Sequence, residues 1–347
     1  MKVVIDISPL KSAHKTRGIG TYTRNLAESL IQIDPKNDYI LTSKPNHLTA
    51  DLIHYPYFDF FFPTLPFKKT KPTIVTIHDT IPLIFPQHYK PGLKGKINLI
   101  RQKLALQSAD AIITDSNNSK KDIAHYLNQP NQKIHVVHLA ANRQFKKASQ
   151  AEIKRVRKKY HLPAKFVLYV GDINYNKNLK ALINAFSKTN SKFHLVFVTR
   201  ALRNKHLPEA KIIFQSLKQY NLKERFHLLT NVPLDPSSDL IAIYSTATAY
   251  VQPSLYEGFG LPVLEALKCQ TLVISSNAAS LPEVGGDAVI YFDPKNINSL
   301  TSALTKTLNL SYPKRQRLIA EGLKQANKFS WDETAKNTIK IYQQIIN

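Results

Sequence analysis

Ser254-Leu255-Tyr256-Glu257-Gly258-Phe259-Gly260-Leu261-Pro262-Val263-Leu264-Glu265-Ala266-Leu267 is the stretch that decides the fold. The run before it, Ala247 to Val251, alternates in apolar character and reads as a strand. The run Leu261–Lys268 reads as a helix. A strand, a glycine-containing turn and a helix leave backbone N–H groups unpaired at the helix start, where they attract an anion. Gly258 and Gly260 remove side chains where phosphates need close approach to the backbone. Pro262 suits a first helical turn, where its missing N–H is no loss. Glu257 in the turn and Glu265 about one turn into the helix can bracket a ligand, one acid near each end. The alternative for such a pair is two solvated glutamates on a turn.

With seven residues between Glu257 and Glu265, this string resembles the signature of glycosyltransferase family 4. The resemblance implies an α/β protein of the GT-B fold, with two Rossmann-like domains facing across a cleft and a C-terminal helix crossing back to the first domain. It also implies a retaining enzyme that uses a nucleotide-sugar donor.

The length, 347 residues, fits two domains rather than one core. The boundary is expected near Pro163, giving 1–162, 163–330 and a terminal helix 331–347. One cysteine, Cys269, excludes an intramolecular disulfide and fits a reducing compartment. No stretch approaches the roughly 18–20 apolar residues of a membrane span, and the opening Lys2–Ile7 reads as a buried strand rather than a signal peptide. Lys plus Arg number 48 against 24 Asp plus Glu, a net charge of +24. Such an excess favours an anionic partner or reflects a general lysine bias. No aromatic-basic recognition motif is present, so nucleic acid is not expected.

Along the first half, strands alternate with helices. After Val3–Ile7 comes a loop with Arg17-Gly18-Ile19-Gly20, then helical spacing over Tyr22–Ile33. It lacks the lysine of a Walker loop and the third glycine of a dinucleotide fingerprint. It resembles the family's first glycine loop, which implies that Gly18 and Gly20 lie over the donor diphosphate. Residues 57–67 hold five phenylalanines broken by prolines. They read either as an aromatic surface loop that touches lipid or as a loop folded on its own core. Thr73–Ile77 is a strand ending in His78-Asp79, and strand ends are where ligands sit in α/β sheets. The family resemblance implies that His78 reaches the donor sugar. Lys90–Lys103 interleaves five basic residues with Leu93, Ile97, Leu99 and Ile100. It is either a membrane-surface helix or an ordinary solvated one.

In the second half, Phe166–Gly171 is a strand followed by Asp172-Ile173-Asn174-Tyr175-Asn176-Lys177-Asn178 and a helix. In the family this loop carries an arginine and a lysine for the pyrophosphate. Lys177 matches the lysine, but Asp172 stands in the arginine's place, and Arg200 is a candidate substitute. Thr230-Asn231-Val232-Pro233 stands where the family packs the nucleotide base.

The resemblance thus implies a retaining, metal-independent hexosyltransferase. It would move a sugar, mannosyl favoured, from a GDP- or UDP-sugar to a glycan or lipid-linked acceptor of surface polysaccharide. Glu257 and His78 are the candidate catalytic residues. Gly18, Gly20, Lys177, Val232, Phe259, Gly260, Leu261 and Glu265 are the candidate donor contacts. No metal ligand set and no cofactor are expected, because no cluster of Cys, His or Asp at metal spacing occurs. The expected location is cytoplasmic, peripheral on the inner face of the plasma membrane. A glycan phosphorylase, a sugar-nucleotide epimerase and a non-catalytic glycan- or lipid-binding relative remain open.

Overall fold

A computed structural model describes all residues except 13, 14, 16, 17, 234, 235 and 347. Chain contacts divide it into two compact units, Met1–Ala140 with Phe329–Asn347, and Ala141–Lys328.

The first unit contains β1 (Lys2–Asp6), α1 (Gly18–Ile33), β2 (Asp38–Thr42), β3 (Leu52–Tyr55), β4 (Thr73–Thr76), α2 (Ile81–Ile84), α3 (Leu93–Gln107), β5 (Ala111–Thr114), α4 (Asn117–Leu127) and β6 (Ile134–Val136). Its strands form one parallel sheet in the order β2-β1-β3-β4-β5-β6. Parallel strands need crossover connections, which helices supply. The inner strands β3, β4 and β5 are short and buried on both faces, as such sheets require, and β4 and β5 are mostly β-branched. Val4, Ile53, Val75 and Ile112 lie in one core with Phe58 and Phe60.

The second unit contains α5 (Gln150–Lys159), β7 (Phe166–Val170), α6 (Leu179–Ser187), β8 (His194–Val198), α7 (Pro208–Gln219), β9 (Phe226–Leu229), α8 (Ser238–Thr246), β10 (Ala249–Gln252), α9 (Leu261–Lys268), β11 (Val273–Ser276), α10 (Leu281–Gly285), β12 (Ile290–Phe292), α11 (Ile297–Leu308) and α12 (Tyr312–Ala326). Its sheet is also parallel, in the order β12-β11-β10-β7-β8-β9. Cys269, at the end of α9, is a free, fully buried thiol.

The last helix, α13 (Trp331–Ile346), belongs to the first unit and packs on α1. Tyr342 reaches the sheet, its hydroxyl 2.6 Å from Nδ1 of the buried His54. His54 Nε2 lies 2.8 Å from Thr76 Oγ1, which in turn lies 3.0 Å from the Tyr22 hydroxyl. Burial pushes the His54 pKa down, so the ring is neutral and can donate from one nitrogen and accept at the other.

Two sequence expectations need correction. The unit boundary falls at Ala140/Ala141, not after Leu162. Residues 141–162 belong to the second unit because they pack on α8. Asp239 there receives Arg155 and Lys159 at 2.6 Å each and the Tyr160 hydroxyl at 2.7 Å. Phe145 meets the Tyr244 ring edge-on at 6.0 Å. The second correction concerns Gly18 and Gly20, which were read as loop but form the first turn of α1. Glycine's poor helix propensity hides that start from a pattern search. Arg17 lies outside the described residues. Among the described residues, no helix is long and apolar enough to cross a membrane.

Candidate active site

The chain leaves β7 towards β8 and β9, returns to β10 beside β7, and then runs the other way to β11 and β12. Ala249 and Tyr250 of β10 face Val167 and Leu168 of β7. The connections that follow these two neighbours therefore lead off in opposite directions, the switch point of strand order beside which open α/β sheets bind ligands. The loop after β7 carries Lys177 and the loop after β10 carries Glu257.

Two asparagines lock these loops together. Asn176 accepts from the Leu255 amide at 2.7 Å and donates its side-chain amide to the Tyr256 carbonyl at 2.9 Å. Asn178, in the left-handed region at φ 55°, donates to the Pro253 and Pro294 carbonyls. Asparagine tolerates that conformation better than most side chains. Between them, Lys177 is held at Glu257, its Nζ 2.8 Å from both carboxylate oxygens.

The two oxygens of Glu257 are not equivalent. Oε1 also accepts from Gln252 Nε2 at 2.6 Å and from Ser254 Oγ at 2.5 Å. Oε2 accepts from Lys177 alone among the described residues, so it keeps acceptor capacity. An ammonium group has three donors, and Lys177 spends two here. One remains for a ligand. Below the carboxylate, Ser280 Oγ donates to the Glu257 and Phe259 carbonyls at 2.8 and 2.7 Å, which pins the turn.

Gly260 then turns the chain at φ 125°, and a Cβ there would sit 2.9 Å from Leu281 Cδ2. Only glycine meets both conditions without strain. Helix α9 starts at once, and the amides of Gly260 and Leu261 make no hydrogen bond among the described residues. Phe259 buries its ring. Glu265, one turn on, accepts the Tyr244 hydroxyl at 2.9 Å. Burial raises its pKa to about 7, against a smaller lowering by that hydrogen bond. Val232 is buried just beyond the end of β9. Asp172 turns inward on its own loop, accepting from the Ile173 amide at 2.9 Å, and forms no ion pair among the described residues. Arg200 lies beyond the end of β8. Among the described residues, no group of three or more His, Cys, Asp or Glu side chains is placed to hold a metal ion.

On the first unit, His78 follows β4 and is engaged at both ring nitrogens. Nδ1 lies 2.8 Å from Asp115 Oδ2 and Nε2 lies 3.2 Å from the Pro56 carbonyl. Tyr22 of α1 meets the ring edge-on at 4.7 Å. Burial opposes the charged ring, but the adjoining Asp115 carboxylate outweighs it and holds the His78 pKa above the ordinary histidine value. Sequence reasoning assigned no role to Asp115, Asn176, Gln252 or Ser254. Asp115 directly follows β5 and Gln252 ends β10, a strand-end position that was the available signal; Asn176, in the loop well after β7, gave none.

Residues 150–325 match the family model described as glycosyl transferases group 1, and residues 40–145 match that of glycosyltransferase family 4. The chain belongs to glycosyltransferase family 4. This family 4 glycosyltransferase is 30% identical over 292 residues to O-antigen chain mannosyltransferase B of Escherichia coli, covering 82% of this chain and 72% of that protein. It is 28% identical over 320 residues to the serotype-specific mannosyltransferase WbdA of E. coli, covering 92% of this chain but 38% of WbdA. The chain therefore spans well under half of that relative. Among solved structures, sucrose-phosphate synthase from Thermosynechococcus elongatus superposes with a TM-score of 0.76 at 18% identity, covering 99% of this chain and 98% of that one. Anabaena HepE in complex with UDP and glucose gives 0.76 at 15% identity, covering 99% and 100%. These likenesses give the enzyme the GT-B fold.

Proposed function

We propose that this glycosyltransferase moves a mannosyl group, with retention and without a metal, from a GDP- or UDP-sugar to a glycan or lipid-linked acceptor in surface polysaccharide synthesis. The observation that carries the proposal is the pairing of Lys177 with Glu257 where the β7 and β10 loops meet, at the switch point of strand order. The two E. coli mannosyltransferases support the sugar and the product class. The UDP and UDP-glucose complexes of HepE support a nucleotide-sugar donor.

In this proposal the diphosphate takes the remaining Lys177 donor and the amides at the start of α9. Positive charge and helix-end amides aimed at a departing phosphate stabilise the charge that develops there. Glu257 Oε2 accepts a hydroxyl of the donor sugar. Glu265 accepts the ribose hydroxyls, and Val232 packs by the base. The acceptor attacks from the face the phosphate leaves, and a phosphate oxygen takes its proton, so neither glutamate needs to become a covalent nucleophile. His78 keeps the role at the donor sugar that the family resemblance implies, its ring oriented by the Asp115 carboxylate.

A thermal-shift panel of GDP-, UDP-, ADP- and dTDP-sugars, with and without EDTA, tests this. A bound donor raises the melting temperature by mass action. A rise with a GDP- or UDP-sugar that EDTA leaves unchanged is expected. No rise with any nucleotide-sugar would overturn the donor site, and an EDTA-sensitive rise would overturn metal independence.

A further inference from the structure

Helix α3 leaves a second apolar line facing outward, besides the Ala105 and Leu106 it buries in the core. Its exposed stripe is Leu93, Ile97, Ile100 and Leu104, each between 51% and 77% exposed. These positions follow i, i+4, i+7 and i+11 and make one narrow line along the helix. Its buried side carries Ala105 and Leu106 near the C-terminal end and, before them, two amides, Asn98 and Gln102. Asn98 Nδ2 donates to the Phe61 carbonyl at 2.9 Å. Gln102 accepts from the Thr64 and Leu65 amides and donates to the Leu65 carbonyl at 3.0 Å. A helix facing water normally presents the opposite arrangement.

Those amides fasten the aromatic loop beside α3. The loop divides its phenylalanines: Phe58 and Phe60 enter the core, while Phe62 and Phe67 stand 67% exposed. Asp59 Oδ1 accepts the Phe61 and Phe62 amides, and Lys69 Nζ bridges the Pro66 and Ala105 carbonyls. The exposed rings thus sit on a loop tied at both ends to the helix and to itself.

Charge surrounds this apolar surface. By helical angle, Lys94 and Arg101 flank one side of the stripe and Lys96 flanks the other. Residues 60–109 hold eight Lys and Arg and a single acidic residue, Asp79. We propose that α3 and the 61–67 loop dock the first unit onto an anionic lipid surface, the apolar stripe entering the acyl boundary and the cations meeting the headgroups. A second copy of this chain fits worse. A two-fold contact sets the same patch on both partners, so two surfaces of net positive charge would face each other.

The experiment is co-sedimentation of the full chain with phosphatidylcholine vesicles, with and without phosphatidylglycerol, at low and raised salt. Binding to the anionic vesicles is expected to exceed binding to neutral ones by about tenfold or more at low salt, and to weaken as salt shortens the screening length. Ile97→Ser/Ile100→Ser is expected to lower partitioning by about tenfold or more, and Phe62→Ser to lower it independently. Both changes lie at exposed positions, so an unchanged melting temperature checks that the fold is intact. Absence of sedimentation at low salt would overturn the proposal. So would equal partitioning of both variants and wild type, which would leave charge alone. A dimer in sedimentation velocity that the double variant dissolves, without lipid binding, would assign the face to a second copy instead. No donor or acceptor enters the assay, so its failure leaves the transferase proposal standing.

Discussion

Glu257 and Lys177 are a largely buried pair whose two members do different work. Glu257→Gln keeps the shape but removes the charge that Lys177, Gln252 and Ser254 all donate to. Transfer activity is expected to fall about 10²–10³-fold, the scale of one lost electrostatic contact to a reacting group. Lys177→Met is expected to cost a similar factor by removing the phosphate donor. Each single change leaves a charge unpaired and should lower the melting temperature; the double change should restore much of it. Steady-state rates and melting curves of the three variants check this, and a double variant that recovers activity would show that the pair is structural. Glu265 supplies a pH test. Its carboxyl titrates near 7 in the folded chain, against the ordinary 4.5. Between these values the folded state binds more protons than the unfolded one, so this residue's contribution is fully present below about 4.5 and lost as pH rises through about 7. The loss is on the order of 3 kcal/mol. Glu265→Gln should remove it, so the variant gains stability over wild type from pH 5 to pH 8. A constant difference in denaturant midpoint across that range would refute the buried carboxyl.

At the scale of elements, the strand–turn–helix around Gly260 was legible because its parts are adjacent in sequence and each has a local signature. Gly260→Ala meets both a left-handed φ and the Leu281 side chain. It is expected to destabilise by about 1–3 kcal/mol and to weaken donor binding, read by denaturation and by thermal shift. A neutral effect on both would show that the turn does not need glycine. What the sequence hid was pairing at a distance. Asp115 stands 37 residues from His78, and Asn176 meets a carbonyl 80 residues on. No local pattern encodes such contacts; the neighbouring of β4 with β5, and of β7 with β10, creates them. The aromatic loop shows the same limit. Composition marked it as unusual, but which rings turn inward depends on Asn98 and Gln102 of α3. Helix α13 gives the remaining test at this scale. Tyr342→Phe leaves His54 Nδ1 buried without its partner, at an expected cost of about 1–3 kcal/mol. An unchanged denaturation midpoint would mean that the helix docks through Trp331 and its apolar neighbours alone.

For the whole molecule, the decisive element is α5. Read alone, residues 150–161 are a basic helix before a proline, and a boundary after them is the natural inference. Its neutralising partner is Asp239, on α8 of the second unit, whose pKa the ring of Arg155, Lys159 and Tyr160 lowers to about 2 against its burial. Without α5 and the Tyr160 that follows it, that acid loses all three donors, and the Phe145 contact with Tyr244 goes with the preceding segment. Tyr244 is also the residue that donates to Glu265, so the packing of residues 141–162 reaches the proposed donor site through one side chain. A fragment of residues 141–328 is therefore expected to melt cooperatively and to bind the nucleotide-sugar that shifts the full chain. A fragment of residues 163–328 is expected to melt well below it and to bind the donor more weakly. Circular dichroism melts and calorimetric titration of the two fragments distinguish them. Equal stability and equal affinity would place the boundary back at Pro163 and reduce α5 to a linker helix. A stable short fragment with weakened donor binding would instead isolate the Phe145–Tyr244–Glu265 chain as the link between this packing and the site.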